Sequence, residues 1–309
     1  MISRRTFLKG ALAASVPFAL GSGGLVGGAR AGGGTAQVVE VSGDPEPALK
    51  LLLDLLGGIE RFVKPGSRVL LKPNMSFPNP PAAAATTSPG LVSAMARHCL
   101  AAGAKEVVIV DHTMRSAPLC LEWTGMKQSC TGLEHVHLLG ADQERMYQEV
   151  TLSGTRFLRK VKVLRAALKA DVLINLPQMK SHSAATVSLG TKGNMGLIWD
   201  RSVFHSRMDL NEAIADLNTF FRAHLTILDG SRVLTAGGPQ GPGPIEYPRV
   251  LIAGTDPIAV DAYGIVRVPW YGRSWRPNQV AHLAACRDRG LGEIDPDRIE
   301  VLARKAPAA

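Results

Sequence analysis

Short β-branched runs alternate with segments whose apolar residues recur every three or four positions, and that alternation organises most of the chain. Gln37–Val41 reads as a first strand, and Pro47–Leu56 has the spacing of a helix closed by Gly57-Gly58. Arg68–Leu71 reads as a buried strand, Pro89–Ala102 as a helix stopped at Gly103, and Glu106–Val110 as the next strand. Runs without a polar alternate position suit strands covered on both faces, the situation in a mostly parallel sheet. From about Asp111 to Lys160 the pattern is less regular, with strands predicted at Glu134–Leu139 and Tyr147–Leu152. The alternation then resumes. Strands are predicted at Val172–Leu176, Leu225–Leu228, Arg249–Ala253 and Arg298–Leu302, and helices at Leu210–Arg222, Pro257–Val268 and Asn278–Arg289. The expected fold class is therefore α/β: a mostly parallel sheet with helices on both faces, built as one domain or as two joined α/β halves.

The start of the chain departs from this pattern. Ser3-Arg4-Arg5-Thr6-Phe7-Leu8-Lys9 precedes an uncharged stretch rich in Gly and Ala, about Gly10 to Gly28, and Ala29-Arg30-Ala31 has the small-x-small form of a cleavage site. These are the three parts of a signal peptide, and the paired arginines assign it to the twin-arginine route. The stretch is too short and too rich in glycine for a good span of about 20 strongly apolar residues. The expectation is a signal over residues 1–31 and a single α/β domain over 32–309. It includes the twin-arginine translocase as partner during export, a periplasmic or other extracytoplasmic location, and no stable membrane anchor after cleavage.

Removing the four basic residues of that segment lowers the formal charge from +9 to +5, and no long Lys/Arg block remains. No nucleic-acid partner is expected; a small anionic ligand fits as well. The four cysteines, Cys99, Cys120, Cys130 and Cys286, show no CxxC spacing, so no ferredoxin-type iron–sulfur cluster or zinc knuckle is expected. Cys99 and Cys286 lie in helical apolar segments as packed thiols, and whether Cys120 and Cys130 pair stays open. The cofactor, if any, is otherwise unspecified.

The polar chemistry gathers where the strands end. Arg68–Leu71 runs into Lys72-Pro73-Asn74, and Glu106–Val110 into Asp111-His112-Thr113. Val172–Leu176 runs into Pro177-Gln178-Met179-Lys180-Ser181-His182, Leu225–Leu228 into Asp229-Gly230-Ser231-Arg232, and Arg249–Ala253 into Gly254-Thr255-Asp256-Pro257. Open α/β sheets bind ligands outside the carboxyl ends of their strands. Lys72 with Asn74, and Lys180 with His182, are two residues apart, so an extended backbone points each pair to one side. A lysine and a histidine presented together can bind an anion and exchange a proton near neutral pH. In Ser188-Leu189-Gly190-Thr191-Lys192-Gly193-Asn194-Met195-Gly196, three glycines let backbone approach an anion closely, with Lys192 as a point charge. Arg201 and His205 follow just downstream. The breaker-rich Gly237–Pro244 segment can lie over a ligand, His135 and His137 are placed on the wet face of a strand, and Asp256-Pro257 has the form of a helix N-cap. P-loop, dinucleotide, Gly-x-Ser-x-Gly and His-Glu-x-x-His patterns do not occur.

Val69-Leu70-Leu71-Lys72-Pro73-Asn74, Ile174–His182 and Thr191-Lys192-Gly193-Asn194-Met195-Gly196 resemble the family called domain of unknown function 362. So do Leu228-Asp229-Gly230, Gly241-Pro242-Gly243-Pro244 and Asp256-Pro257-Ile258-Ala259-Val260-Asp261-Ala262. The resemblance runs from about residue 66 to 270. Many members carry a cysteine-rich ferredoxin segment, which implies redox work, and this chain has none. Where the family has Lys-Asn, the inserted Gly193 displaces Asn194. Asp111-His112-Thr113-Met114-Arg115 is also similar, with one residue more, to the Asp-x-Thr-Arg strand end of nickel-pincer lactate racemases.

The resulting expectation is an enzyme with a cleft at the strand ends, doing redox or proton-transfer chemistry. Lys180 and His182 are its catalytic candidates. Lys72, Asn74, Lys192, Asn194, Arg201, Asp229, Asp256 and Asp261 are the ligand-binding candidates, and His182 and His205 the metal candidates. The alternatives are a periplasmic anion- or metal-binding accessory protein without turnover, and an interaction scaffold.

Overall fold

The computed structural model describes residues 36–201, 204 and 208–307. The twin-arginine segment, its cleavage motif and His205 lie outside the described residues. In chain order the strands are β1 (Ala36–Ser42), β2 (Arg68–Pro73), β3 (Glu106–Asp111), β4 (Val136–Gly140), β5 (Tyr147–Thr151) and β6 (Lys160–Leu164). They continue as β7 (Val172–Leu176), β8 (Gln178–His182), β9 (Thr186–Ser188), β10 (Leu225–Leu234), β11 (Ile245–Glu246), β12 (Val250–Gly254) and β13 (Ile299–Lys305). The described helices are α1 (Pro45–Leu55), α2 (Pro89–Ala101), α3 (Ala117–Trp123), α4 (Met126–Cys130) and α5 (Arg165–Lys169), then α6 (Gly190–Gly193), α7 (Leu210–Phe220), α8 (Pro257–Val266) and α9 (Ala281–Arg287).

The main sheet runs in the order β13-β1-β12-β10-β7-β2-β3-β4. The block β10-β7-β2-β3-β4 is parallel throughout, as is β1 with β13, while β12 runs antiparallel to both of its neighbours. The apolar runs have the reason expected of them. Val69 and Leu71 of β2 pack on α1 and α2, whereas Leu70 packs on the opposite side with α5 and α7. In β7, Val172, Ile174 and Leu176 face the first layer and Leu173 the second. Leu251 and Ala253 of β12 face the first layer, Val250 and Ile252 a third cluster formed with α8 and α9. With successive side chains going to opposite faces and each face covered by helices, the central positions of these strands are apolar, and the buried polar residues Lys72 and Asn175 stand near their carboxyl ends. Each fully buried Leu or Ile contributes about 1.5–3 kcal/mol relative to exposure.

The predicted strands and helices are present, with ends shifted by a few residues. The larger differences follow from pairing that short-range patterns do not carry. Gln178–His182, read only as an extended continuation of the preceding strand, is a separate strand, β8, held by parallel bridges to β10 and an antiparallel ladder to β9. Asp229-Gly230-Ser231-Arg232 is not a strand end, because β10 continues to Leu234 to meet β8 and β11. Lys160–Leu164, at the end of the irregular middle, forms an antiparallel ribbon with β5. His135 sits just before β4 with φ 58°, and His137 on β4 is exposed. All four cysteines are free thiols; Cys99 and Cys286 are buried in α2 and α9, and burial pushes the Cys99 thiol up to about 12.

Candidate functional site

β7, β2 and β3 are adjacent and parallel, so their carboxyl ends open at one edge of the sheet. A cavity of about 280 Å³ lies there, and it receives Lys72 from β2, Asn74 just beyond the end of β2, Asp111 from β3 and Lys180 and His182 from β8. Lys192 and Gly193 of α6, Gly196 and Arg201 complete its polar wall, and Phe77 and Pro239 add apolar contact. Pro239 belongs to the Gly237–Pro244 loop, anchored over β8 where the Gly238 amide donates to Ser181 Oγ at 2.9 Å.

The two-residue spacing works because the backbone is extended at both pairs. Lys72 is 1% exposed, and its ammonium lies 3.0 Å from Asp111 Oδ1 and donates to the Pro73 carbonyl at 2.8 Å. Asp111 Oδ2 accepts from the Met75 amide at 2.9 Å and Ser76 Oγ at 2.8 Å. Burial opposes ionisation of Asp111, but Lys72, Arg201 and these hydrogen bonds outweigh it and hold the carboxyl below its ordinary range. Gly196 closes over this ion pair. A Cβ there would stand 2.0 Å from Asp111 Oδ1 and 2.6 Å from Lys72 Cε, so only glycine lets the backbone pass. Asn74 accepts from the Gln178 amide through Oδ1 at 2.8 Å, which leaves its amide nitrogen as the group it can offer the cavity.

Lys180 is 3% exposed and donates to the Ala85 carbonyl at 2.6 Å, with its ammonium 5.8 Å from the Phe77 ring centre. Burial first, then repulsion from Lys72 and Arg201, bring it down to about 7 against the pull of Asp111. Lys192 is also lowered well below its ordinary value, by burial and then by Arg201, Lys180 and Lys72. Its ammonium has no hydrogen-bond or ion-pair partner among the described residues. Burial likewise lowers Lys72, against Asp111. Arg201 donates to the His112 carbonyl at 3.3 Å, while its buried Nε has no partner among the described residues. His182 accepts at Nδ1 from the amides of Ala184 (3.2 Å) and Ala185 (3.3 Å), so in the neutral ring the proton sits on Nε2. Four basic side chains thus share the cavity with one carboxylate, and Lys72 already holds that carboxylate.

The remaining candidates have structural partners and do not line the cavity. Asp229 accepts from the Ser88 amide at 2.7 Å, at the start of α2, and from Ser231 Oγ at 2.6 Å. Asp256 caps α8 through the Ile258 and Ala259 amides, at 2.9 and 3.1 Å. Its distance from the cavity has a topological cause: β12 is antiparallel to β10, pairing Gly254 with Thr226, so its carboxyl end opens at the opposite edge. Asp261 receives the Gly190 and Thr191 amides, both at 2.8 Å, and Thr191 Oγ1 at 2.6 Å. It acts from behind by holding the first turn of the helix that carries Lys192. Burial raises Asp261 to about 6, opposed by those three hydrogen bonds. Asn194 donates to Asn218 Oδ1 at 2.9 Å and fastens the same segment to α7. Asp111, the counter-ion of the site, was not among the sequence candidates, although its place at the end of a predicted strand was visible. In the racemase-like pentapeptide, Asp111 reaches the cavity and Arg115 is exposed.

Among the described residues no group of three His, Cys, Asp or Glu side chains could hold a metal ion, and no helix is long and apolar enough to cross a membrane. His182 lines the cavity, and His205 lies outside the described residues.

The family described as Domain of unknown function (DUF362) matches residues 69–266, a span that begins at β2 and ends with α8. This chain belongs to that family. A relative, the thylakoid-associated protein sll1697 of Synechocystis sp., is 30% identical over 221 residues, 69% of this chain and 67% of the relative. Among solved structures, the lactate racemase apoprotein from Thermoanaerobacterium thermosaccharolyticum aligns with a TM-score of 0.45 and 14% identity. That alignment covers 83% of this chain but 57% of the racemase chain, so this chain spans little more than half of that protein's length.

Proposed function

We propose that this DUF362 member binds a small anionic molecule in the cavity and acts on it by proton transfer. The observation that carries this reading is the charge balance. Lys72, Lys180, Lys192 and Arg201 line one small cavity with Asp111 as their single carboxylate among the described residues. Buried cations without counter-ions are costly, so an anionic ligand completes the arrangement. Lys192 and Arg201 Nε supply donors without acceptors among the described residues, and Lys180 with His182 supply groups able to exchange a proton. A lysine held near 7 inside a cleft favours turnover over simple capture. Binding without catalysis is the second reading, favoured if the anion leaves unchanged.

The test is titration of the purified chain with inorganic phosphate and with oxalate, followed by calorimetry and by melting temperature. Wild type should bind at least one of them. Lys192→Met should weaken binding about ten- to hundredfold, the loss of one charge-assisted hydrogen bond of about 1.5–3 kcal/mol. Equal affinity in the variant would remove Lys192 from the site. For location, we read the twin-arginine segment as an export signal. Arg4→Lys/Arg5→Lys should keep the chain cytoplasmic and unprocessed in cell fractions, and unchanged export would overturn that reading.

A further inference from the structure

The three buried lysines have three different surroundings. Lys72 is held against Asp111 at 3.0 Å and serves that ion pair. Lys192 and Arg201 disfavour each other's charge and have donors to spare, the arrangement of a clamp waiting for a carboxylate. Lys180 differs from both. It stands on a strand paired on both sides, its nitrogen is tethered by one hydrogen bond to the Ala85 carbonyl, and no carboxylate contacts it among the described residues. A free amine keeps that tether through one N–H and retains its lone pair. His182, two residues along the same strand face, lines the same cavity.

We propose that Lys180 is a nucleophile that forms an imine with the carbonyl carbon of a small oxo acid whose carboxylate is held by Lys192 and Arg201. The proposal rests on the anion-binding reading of the same cavity. The Lys180 nitrogen lone pair forms the N–C bond while the carbonyl π pair moves to oxygen. That oxygen takes one proton from the attacking nitrogen and a second, also from that nitrogen, by way of His182. It then leaves as water as the C=N bond forms, so amine and carbonyl give imine and water with no other reactant. A lysine beside other cations in a desolvated pocket retains enough free amine at neutral pH for such an attack.

The experiment incubates the full chain with pyruvate, reduces with borohydride, digests and maps the adduct by mass spectrometry, with oxalate as unreactive competitor. The expected result is one reduced pyruvate adduct on the Lys180 peptide, suppressed by oxalate. Lys180→Arg should abolish the adduct while oxalate still raises the melting temperature, which excludes a folding defect. An adduct confined to Lys192, adducts spread over surface lysines, or no adduct where oxalate does bind would each overturn the imine proposal and leave anion binding standing. Failure of both oxalate and phosphate to bind would overturn the anion reading itself.

Discussion

Replacing Asp111 by asparagine is expected to destabilise the protein by about 3–5 kcal/mol, the cost of removing one partner of a buried ion pair. The carboxylate stands 3.0 Å from the Lys72 ammonium, and both side chains are 1% exposed. It is the cavity's single negative charge among the described residues. Without it, Lys72 must stay charged without a partner or shed its proton, and Lys180 and Arg201 lose the attraction that partly offsets their burial. Denaturant unfolding of wild type and variant at one pH measures the effect. The Lys72→Met/Asp111→Asn double variant should lose less than the sum of the two single changes, because the charges leave together. Saturating oxalate or phosphate should restore part of the single variant's stability by mass action. A loss below 1 kcal/mol for Asp111→Asn would show that the pair is not what balances the cavity.

Anion affinity is expected to fall at least about tenfold for each pH unit above 7, the slope for a site that needs at least one more proton than the free protein carries. Lys180 sits at about 7 in the folded chain and at 10.5 when unperturbed. Below 7 it is protonated in both folded and unfolded chains, and the full cost of burying its charge weighs against folding. Between 7 and 10.5 the unfolded chain binds the extra proton, so the Lys180 contribution makes unliganded stability rise with pH. Ligand binding runs the other way, since the anion prefers the protonated amine. Calorimetry at pH 8 in two buffers of different ionisation enthalpy should therefore record proton uptake on binding. Lys180→Arg, permanently charged, should flatten the profile between pH 7 and 9. A pH-independent affinity in wild type would remove Lys180 from the anion's contacts.

Much of this site was legible in the sequence because local rules governed it. Lys72-Pro73-Asn74 follows an apolar run that must be buried on both faces, and proline keeps the residue before it out of the helical region. The alternation in Lys180-Ser181-His182 sends two polar groups to one side once the segment is extended. The glycines around Lys192 signalled close backbone approach, although the decisive one is Gly196, whose missing Cβ makes room for Lys72 and Asp111. The acidic candidates were read by the same logic and separated in space. Asp256 ends a strand like the others, but local sequence does not record that β12 runs against β10. Asp229 lies inside a strand that continues, and Asp261 reaches back from α8 to cap the helix bearing Lys192.

By itself, then, the sequence determined the α/β class, the order of most strands and helices, and which segments carry Lys, His and Gly. These follow from side-chain periodicity and backbone preference within a few residues. Only the tertiary structure decided which strand ends share an edge, because strand direction depends on pairing between segments 29 to 263 residues apart. It also decided that Asp111 is the counter-ion and that three lysines sit together. Burial and mutual repulsion there shift their protons, and neither exists until the chain has closed around them.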